Sequence, residues 1–558
     1  MKKRILLCLT SILLLTLPWL GLPGYTLFAA FVPLFLLQDE LDGKTGRRGK
    51  PARIFPYIAA TLMLWSALSV WWVANSIRLS GGGWGMSVGI AIVCVLVTSF
   101  VTVLPFMAYH FFRQRAPRGL AYAVLISAWV GYEFIFLHGE ITFPWLILGN
   151  GFANSIEAVQ WYEYTGVLGG SVWVFACNIA IYEAIRLWRK KRSHRVWIRP
   201  AGWIALPLAF SLVLYFSYNE PEKTIDVQVI NPNFDPYEKF EALSFREQTE
   251  IILQLAMQAP AGTDYFVAPE TAIDERIAEE TIEQNDYIRL MRYFLREKSP
   301  AGAVVIGATT SRFYYQEDQA TYTARQAGEG FWYDIYNTAL QIDTTKKVAV
   351  YHKSRLVAGA EMIPYARQFP FLKKLSMDLG GTSGQMGVDA QRSVFTAQDG
   401  TQIGVPICWE AVFGEYTTGF VRQGAEALFI ISNDAWWGKT SGYKQLFAFS
   451  RLRAIETRRS IARSANVGIS GFINQRGDII GRTQWDERVS LHGTIHLNDR
   501  ETFYVRFGDV TGRICCLLPS RMTISLIFPL NAIGNTISRT NSAAIAIPAI
   551  FNTFFIVL

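Results

Sequence analysis

Three apolar runs beyond residue 260 each stop at a residue able to do chemistry: "DYFVAPE" ends at Glu270, "KVAVYHK" at Lys353 and "QIGVPIC" at Cys408. Together they supply a carboxylate, an ammonium and a thiol. A free thiol with a pKa of about 8.5 is mostly protonated at neutral pH, so it needs a base to take its proton or a cation to hold the thiolate. Glu270 suits the first task. Lys353 suits the second and, with the backbone N–H after Cys408, would face the oxyanion of a tetrahedral intermediate. Singly, each residue has a bland counterpart: a cap or surface carboxylate, a solvated strand end, a small buried hydrophobe. In open α/β sheets, however, ligands gather at the carboxyl ends of strands, so three such ends can meet in one pocket although far apart in sequence.

A Cys–His dyad is the competing arrangement, and the outer region offers only His352, His492 and His496 for it. His352 alternates with Lys353 on one strand, so the two point to opposite faces and only one enters a pocket. Lys353 is read as that residue. The thiol and the three histidines lack metal-ligand spacing, and neither a metal nor a cofactor is expected.

The elements that must position these groups fall into two kinds. The 558 residues are 51% hydrophobic, with the apolar residues gathered in long blocks in the first part of the chain. A membrane-spanning helix needs about 20 residues, and about seven apolar stretches approach that length, at 5–21, 24–38, 55–76, 86–110, 119–138, 164–186 and 201–217. The opening "MKKRILLCLTSILLLTLPWLGLPG" has the basic start of a signal peptide but no small-x-small cleavage site, so it is read as the first span. "MKKR", "DELDGKTGRRGKPARIF", "FFRQRAPRG" and "RLWRKKRSHRVWIRP" lie at alternate loops. Basic loops stay on the cytoplasmic side, so seven crossings from a cytoplasmic start deliver residue 220 to the outside. Much of the formal charge of +8 is spent on this topology and indicates no nucleic-acid partner.

Cys8, Cys94 and Cys177 lie in these apolar stretches, and Cys515 and Cys516 in the apolar C-terminal part. Cys408 is therefore the one thiol of the outer region, and an odd external thiol is either reactive or buried and inert. From 221 to 508, short β-rich runs alternate with helix-period segments near 238–258, 279–297 and 443–464, as in a layered α/β domain. The division expected is 1–220 membrane domain, 221–508 catalytic domain and 509–558 C-terminal membrane segment. In the last of these, Pro519 and Arg521 interrupt one apolar run and a second follows at 543–558, so the number of crossings stays open.

"PET", "HKSRLVAGAEMIPY", "GVPICWEAVFGEY" and "ISNDAWWG" together resemble the nitrilase, or carbon–nitrogen hydrolase, superfamily. The preceding helices, "FPWLILGN", the stretch "SNDAWWGKTSGYKQLFAFSRLRAIETRRSIARSANVGISGFIN" and "TFYVRFGD" narrow the resemblance to the apolipoprotein N-acyltransferase family over about residues 1–510. The resemblance implies an α-β-β-α sandwich facing the periplasm on a transmembrane helix bundle, with Glu270 as general base, Lys353 as oxyanion-side cation and Cys408 as nucleophile. It implies acyl transfer from a membrane phospholipid through a Cys thioester to the N-terminal diacylglyceryl-cysteine of an apolipoprotein.

Glu361 and Glu410 match two further carboxylates of the family, which either join the chemistry or hold Lys353 or a loop in place. Trp409 stands where the family often has Tyr, and Phe240 where it has Trp; both keep an aromatic surface for an acyl chain. The Gly-rich 378–387 stretch and the pair Trp436 and Trp437 are candidate lids or membrane anchors, against ordinary packing. Two rival readings share the same residues: a membrane-anchored amidase hydrolysing C–N bonds, and a non-catalytic assembly protein.

Overall fold

The apolar first part folds into helices α1 (Lys2–Thr16), α2 (Val32–Gly43), α3 (Pro51–Ser69), α4 (Trp72–Leu79), α5 (Trp84–Arg113), α6 (Arg118–His138), α7 (Tyr162–Lys191) and α8 (Ile198–Ser217). The computed structural model describes residues 1–43, 51–79, 83–234, 244–345, 347–369, 371, 385–389 and 391–517. Among these, five helical segments are long and apolar enough to cross a membrane: Lys2–Leu20, Trp84–Arg113, Arg118–His138, Tyr162–Lys191 and His194–Ser217. Arg53–Ser69 and Trp72–Arg78, bent by 51° at the break between them, meet the same criterion only as a pair, the pattern of a broken span or a re-entrant loop. The protein is a membrane protein.

The span expected at 24–38 is broken, running as a 3-10 helix Gly24–Ala29 and then α2. Asn178 of α7 answers the break: its side-chain oxygen accepts from the Phe31 and Val32 N–H groups at 2.7 and 3.2 Å, and its amide donates to the Leu27 carbonyl at 2.7 Å. A non-helical backbone at membrane depth needs such partners, because lipid supplies none.

The bundle has two chemically different ends. At one, Arg113 pairs with Asp39 and Asp42, Arg4 with Glu40 and Arg118 with Glu183. At the other, the helices meet the α/β region: Trp72 lies 5.1 Å from Trp437, and Tyr215 bonds Asp478 at 2.7 Å.

In the α/β region, alternation along the strands decides which layer each side chain joins. An eight-stranded sheet comprises β1 (Thr224–Asn231), β2 (Tyr265–Val267), β3 (Ile273–Ala278), β4 (Ala303–Tyr314), β5 (Arg325–Gly328), β6 (Phe331–Ile342), β7 (Ala349–His352) and β14 (Val489–His496). Its order is β14-β1-β2-β4-β6-β5, with β3 also on β4 and β7 on β6. A six-stranded sheet runs β13-β12-β11-β10-β9-β8, from β8 (Val394–Thr396), β9 (Gln402–Gly404), β10 (Ala427–Ser432), β11 (Ile461–Ala465) and β12 (Gly471–Ile473) to β13 (Ile479–Arg482).

Tyr265, Val267, Ala303 and Val305 point into the core between the sheets, where Tyr265 meets Phe429 at 5.1 Å. Phe266, Val304 and Ile306 point the other way, beneath α9 (Phe245–Ala256) and α10 (Asp286–Lys298). The second sheet is covered by α11 (Gly414–Val421) and α12 (Ser441–Thr457), which completes the α-β-β-α sandwich. A short helix α13 (Phe503–Phe507) and a helix over 510–517 follow.

The helix expected over 443–464 stops at Thr457. Arg458 takes a left-handed φ of 50°, and 461–465 enters the sheet as β11. The tail beyond 517 and most of the Gly-rich 378–387 stretch lie outside the described residues.

Candidate active site

Cys408 sits four residues beyond the end of β9, where the chain turns out of the second sheet into a 3-10 helix, Cys408–Val412. Its φ is 49°, a left-handed conformation that a side-chain-bearing residue adopts only when its surroundings hold it there. Glu410 does much of the holding. Its Oε2 accepts from the Ile407 N–H at 2.8 Å, and its Oε1 accepts from the Ser354 N–H at 2.7 Å and from the Tyr351 and Tyr416 hydroxyls at 2.8 Å each.

Glu270 follows β2 and is brought in by a close approach of backbones. Gly307 on β4 lies so near that a β-carbon there would stand 2.6 Å from the Glu270 Cα and 2.5 Å from the Thr271 nitrogen. Lys353 is the first residue after β7, anchored by its N–H on the Asn337 carbonyl at 2.8 Å. The ammonium lies 2.9 Å from Glu270 Oε1 and 2.8 Å from Glu361 Oε1. Asn337 donates to the same two oxygens at 2.7 and 3.2 Å, and Glu270 Oε2 accepts from the Asn433 N–H at 3.0 Å.

Glu270, Lys353, Cys408 and Glu361 line one cavity of about 290 Å³. Its other wall belongs to the membrane half, with Trp72 and Ile77 of α4, Ile90 and Cys94 of α5, and Phe143. Burial pushes the Cys408 thiol up, the Glu270 carboxylate adds to this, and Lys353 only partly offsets it, so the thiol is protonated at rest. Burial disfavours the Lys353 charge, yet Glu270 and Glu361 hold its ammonium well above the usual range. A protonated thiol, a carboxylate bonded to a permanent cation, and a cavity walled in part by apolar side chains of α4 and α5 suit nucleophilic attack on an apolar ester or thioester.

The remaining expected residues separate clearly. Glu361 is in the cavity and touches Lys353, whereas Glu410 is fully buried behind the Cys408 turn. Trp409, Trp436 and Trp437 all line the cavity; Trp409 stacks on Trp145 at 5.3 Å, and Trp437 packs on Trp72. Phe240 lies outside the described residues. His352 does face away, bonded to Asp389 at 2.9 Å and Glu279 at 2.6 Å. His492 is exposed on β14, and His496 bonds the Pro221 carbonyl at 2.7 Å.

Sequence reasoning missed Asn337, which ties Glu270 to Glu361, and the membrane-side wall formed by Trp72, Ile90 and Cys94. The lone amide in the apolar run "YNTAL" was the available signal for the first.

Residues 240–503 match the carbon–nitrogen hydrolase family, and residues 10–180 match the apolipoprotein N-acyltransferase N-terminal domain. A protein of Chlorobaculum tepidum named apolipoprotein N-acyltransferase is 28% identical over 472 residues, which is 82% of this chain and 84% of that one. One of the same name from Geobacter metallireducens is 28% identical over 506 residues, 88% of this chain and 89% of that one. A solved CN-hydrolase superfamily protein from Xanthomonas campestris is 12% identical with a TM-score of 0.33, covering 57% of this chain and 100% of that one.

Proposed function

The chain belongs to the apolipoprotein N-acyltransferase family and is an acyltransferase of the carbon–nitrogen hydrolase superfamily; from that premise we propose that it acylates the N-terminal α-amino group of diacylglyceryl apolipoproteins, with a membrane phospholipid as donor. The observation that carries the reading is the shared cavity, in which Cys408, Lys353 and Glu270 face side chains of membrane helices α4 and α5.

In the first half-reaction, Glu270 takes the Cys408 proton as the sulfur attacks the ester carbonyl carbon. Lys353 and the Trp409 N–H stabilise the oxyanion. The intermediate collapses with cleavage of the carbon–oxygen bond, and the lysophospholipid leaves as an alcohol with the proton from Glu270. In the second, the amine attacks the thioester, Glu270 accepts its proton, and the thiolate departs and is reprotonated. Splitting one exchange into two lowers each barrier, and a thioester passes its acyl group to an amine more readily than an oxygen ester does.

The α/β domain is assigned to the periplasmic side of the inner membrane, supported by the basic residues gathered at the opposite end of the bundle. The residues from 221 to 508 form the catalytic unit in this reading, with 1–220 and 509–558 as its membrane parts.

Purified protein incubated with acyl-labelled phospholipid should carry an adduct released by neutral hydroxylamine, and Cys408→Ser should not form it. Absence of the adduct from the wild type, or its persistence in Cys408→Ser, would defeat the scheme. Rapid turnover of small soluble amides with lipid esters inert would favour the amidase reading.

A further inference from the structure

A chain of buried polar groups reaches Cys408 from the second sheet. Ile407 and Ile431 form a parallel bridge, which sets Cys408 beside Ser432, the last residue of β10. The Ser432 hydroxyl donates to Asp434 Oδ1 at 2.7 Å and also reaches the Cys408 sulfur. Asp434 opens the 3-10 helix Asp434–Trp437 that follows β10, and Arg463 of β11 grips both its oxygens, at 2.8 and 3.0 Å. Ser432 lies opposite Ala465, two residues beyond Arg463, so the hydroxyl and the guanidinium share one face of the sheet.

Ser432, Asp434 and Arg463 are fully buried, and the fit around Asp434 is close. Gly468 has a left-handed φ of 127°, and a β-carbon there would stand 2.4 Å from Asp434 Oδ2. Arg463 also donates to the Ile469 carbonyl. A buried ion pair adds little net stability, because desolvation offsets its attraction. Among the described residues the one further side chain that donates to this carboxylate is Ser432, and beyond the Ser432 hydroxyl lies the sulfur.

We propose that Ser432 is a catalytic donor to the Cys408 thiolate, with Asp434 and Arg463 as the residues that position its hydroxyl. While the sulfur is protonated or acylated it needs no donor, and the hydroxyl rests on Asp434. When the sulfur carries negative charge, in the attack and again as the leaving group of aminolysis, the hydroxyl turns about its one torsion and donates to it. A donor already in place where charge develops is worth more than one recruited from water. Asp434 keeps both Arg463 bonds during the turn, so neither carboxylate oxygen is left bare. No proton changes owner at Ser432, and Glu270 remains the base. The inference deepens the proposed reaction and rests on Cys408 as its nucleophile.

The groups facing the sulfur give the test its sign. Burial raises the Cys408 pKa most, Glu270 raises it further, Lys353 lowers it, Asp434 raises it and Ser432 lowers it. Two neighbours in one chain therefore act in opposite directions.

The full chain is treated with iodoacetamide over a range of pH, and alkylation of Cys408 is followed by mass spectrometry of its peptide. Ser432→Ala removes one oxygen and leaves Asp434 on Arg463, so it is expected to keep its melting temperature. Its alkylation at neutral pH should fall about 10- to 100-fold, as for loss of one hydrogen bond to a charged group, with the profile displaced to higher pH. Ser432→Thr keeps the hydroxyl and, when folded, should restore most of the rate. Asp434→Asn keeps an acceptor for the hydroxyl but removes the opposing charge, so its profile should move to lower pH. A purely structural role would move both variants the same way or neither. Melting temperatures show whether Asp434→Asn is folded, and Ser432→Ala decides without it.

An unshifted profile in folded Ser432→Ala would overturn the proposal. So would a folded Ser432→Thr as slow as Ser432→Ala, or a folded Asp434→Asn displaced to higher pH. Alkylation needs no lipid, so absence of an acyl adduct from the wild type would defeat the acyl-transfer reading and leave this result standing. Where the adduct forms, its release by an amine should be slower in Ser432→Ala than in the wild type, and equal release would remove the leaving-group role.

Discussion

Glu410 accepts a hydrogen bond from the Ser354 backbone N–H at 2.7 Å, which ties the turn carrying Cys408 to the residue immediately after Lys353. One buried carboxylate thus sets the spacing of two functional groups from different sheets while staying out of the cavity that both face.

Replacing Glu410 by Ala should therefore damage geometry and stability together. The Ile407 and Ser354 N–H groups would lose their acceptor, at about 1–3 kcal/mol for each buried group left unpaired. Glu410→Gln keeps one carbonyl oxygen and should lose less. The expected result is a lowered melting temperature for both variants, Ala below Gln, with the rate of acyl-enzyme formation falling in the same order. A Glu410→Ala protein of wild-type stability and rate would show that the tie is idle.

Gly307 makes a sharper test of Glu270, because the two touch through backbone rather than side chains. With a β-carbon, Gly307→Ala would press on Glu270 Cα at 2.6 Å, and backbone cannot step aside as a flexible side chain can. Glu270 should shift away from Lys353. In proteins where general-base catalysis is lost, the penalty is about 100- to 10,000-fold in rate. Single-turnover acylation should fall toward that range in Gly307→Ala, with the phospholipid KM little changed.

That Glu270, Lys353 and Cys408 would meet in one cavity was legible because each ends an apolar run, a pattern that burial alone does not require of Glu270 or Lys353. The face of His352 was legible for a related reason, since strand alternation allows only one of two successive residues inward. Asn337 was hidden, because it reaches Glu270 only through the antiparallel register of β4 and β6, which opposes it to Thr309. The membrane-side wall was hidden too: Trp72 and Cys94 meet the α/β domain through contacts between segments hundreds of residues apart, which no local pattern encodes. Glu410 could be matched but not assigned until its partners were visible. The overlong 443–464 helix has a local cause, the left-handed turn at Arg458, which apolar spacing does not reveal.

His352 supplies a pH signature. Burial works against its charged form, but Asp389 and Glu279 outweigh this and raise its pKa above the ordinary 6.5. Burial likewise opposes ionisation of Glu279 and Asp389, and His352 more than compensates, holding them below 4.5 and 3.8. Arg312 also faces Glu279, and the Tyr336 ring stacks on the imidazole at 3.9 Å. The histidine's contribution is complete below pH 6.5 and fades as pH rises through its raised value. The carboxylates' share is complete above 4.5 and fades as pH falls through their lowered values. His352→Gln should therefore lower the melting temperature more at pH 6 than at pH 9, by the equivalent of about 1.5–3 kcal/mol per charged hydrogen bond at the lower pH. An equal loss at both values would mean that the imidazole is neutral in the folded protein.

Gln445 carries the last prediction, on how the two halves keep their cavity in shape. Its side-chain oxygen accepts from the Trp72 and Trp145 indoles at 3.1 and 2.5 Å, and its amide donates to the Trp19 and Ser69 carbonyls at 2.6 and 3.2 Å. Trp72 lines the catalytic cavity, and Trp145 stacks on Trp409, the neighbour of Cys408. Gln445→Ala strands these four groups at once, so stability should drop by several kcal/mol at about 1–3 kcal/mol for each group that water cannot reach. Gln445→Glu keeps an acceptor for both indoles but cannot donate to the two carbonyls while ionised, and should lie between Ala and wild type. Because Trp72 and Trp409 line the cavity proposed to take the acyl chain, the surviving activity of Gln445→Glu should show a raised phospholipid KM with kcat nearly preserved. A loss confined to kcat would instead place the effect at Cys408 and exclude a role for this contact in shaping the apolar wall.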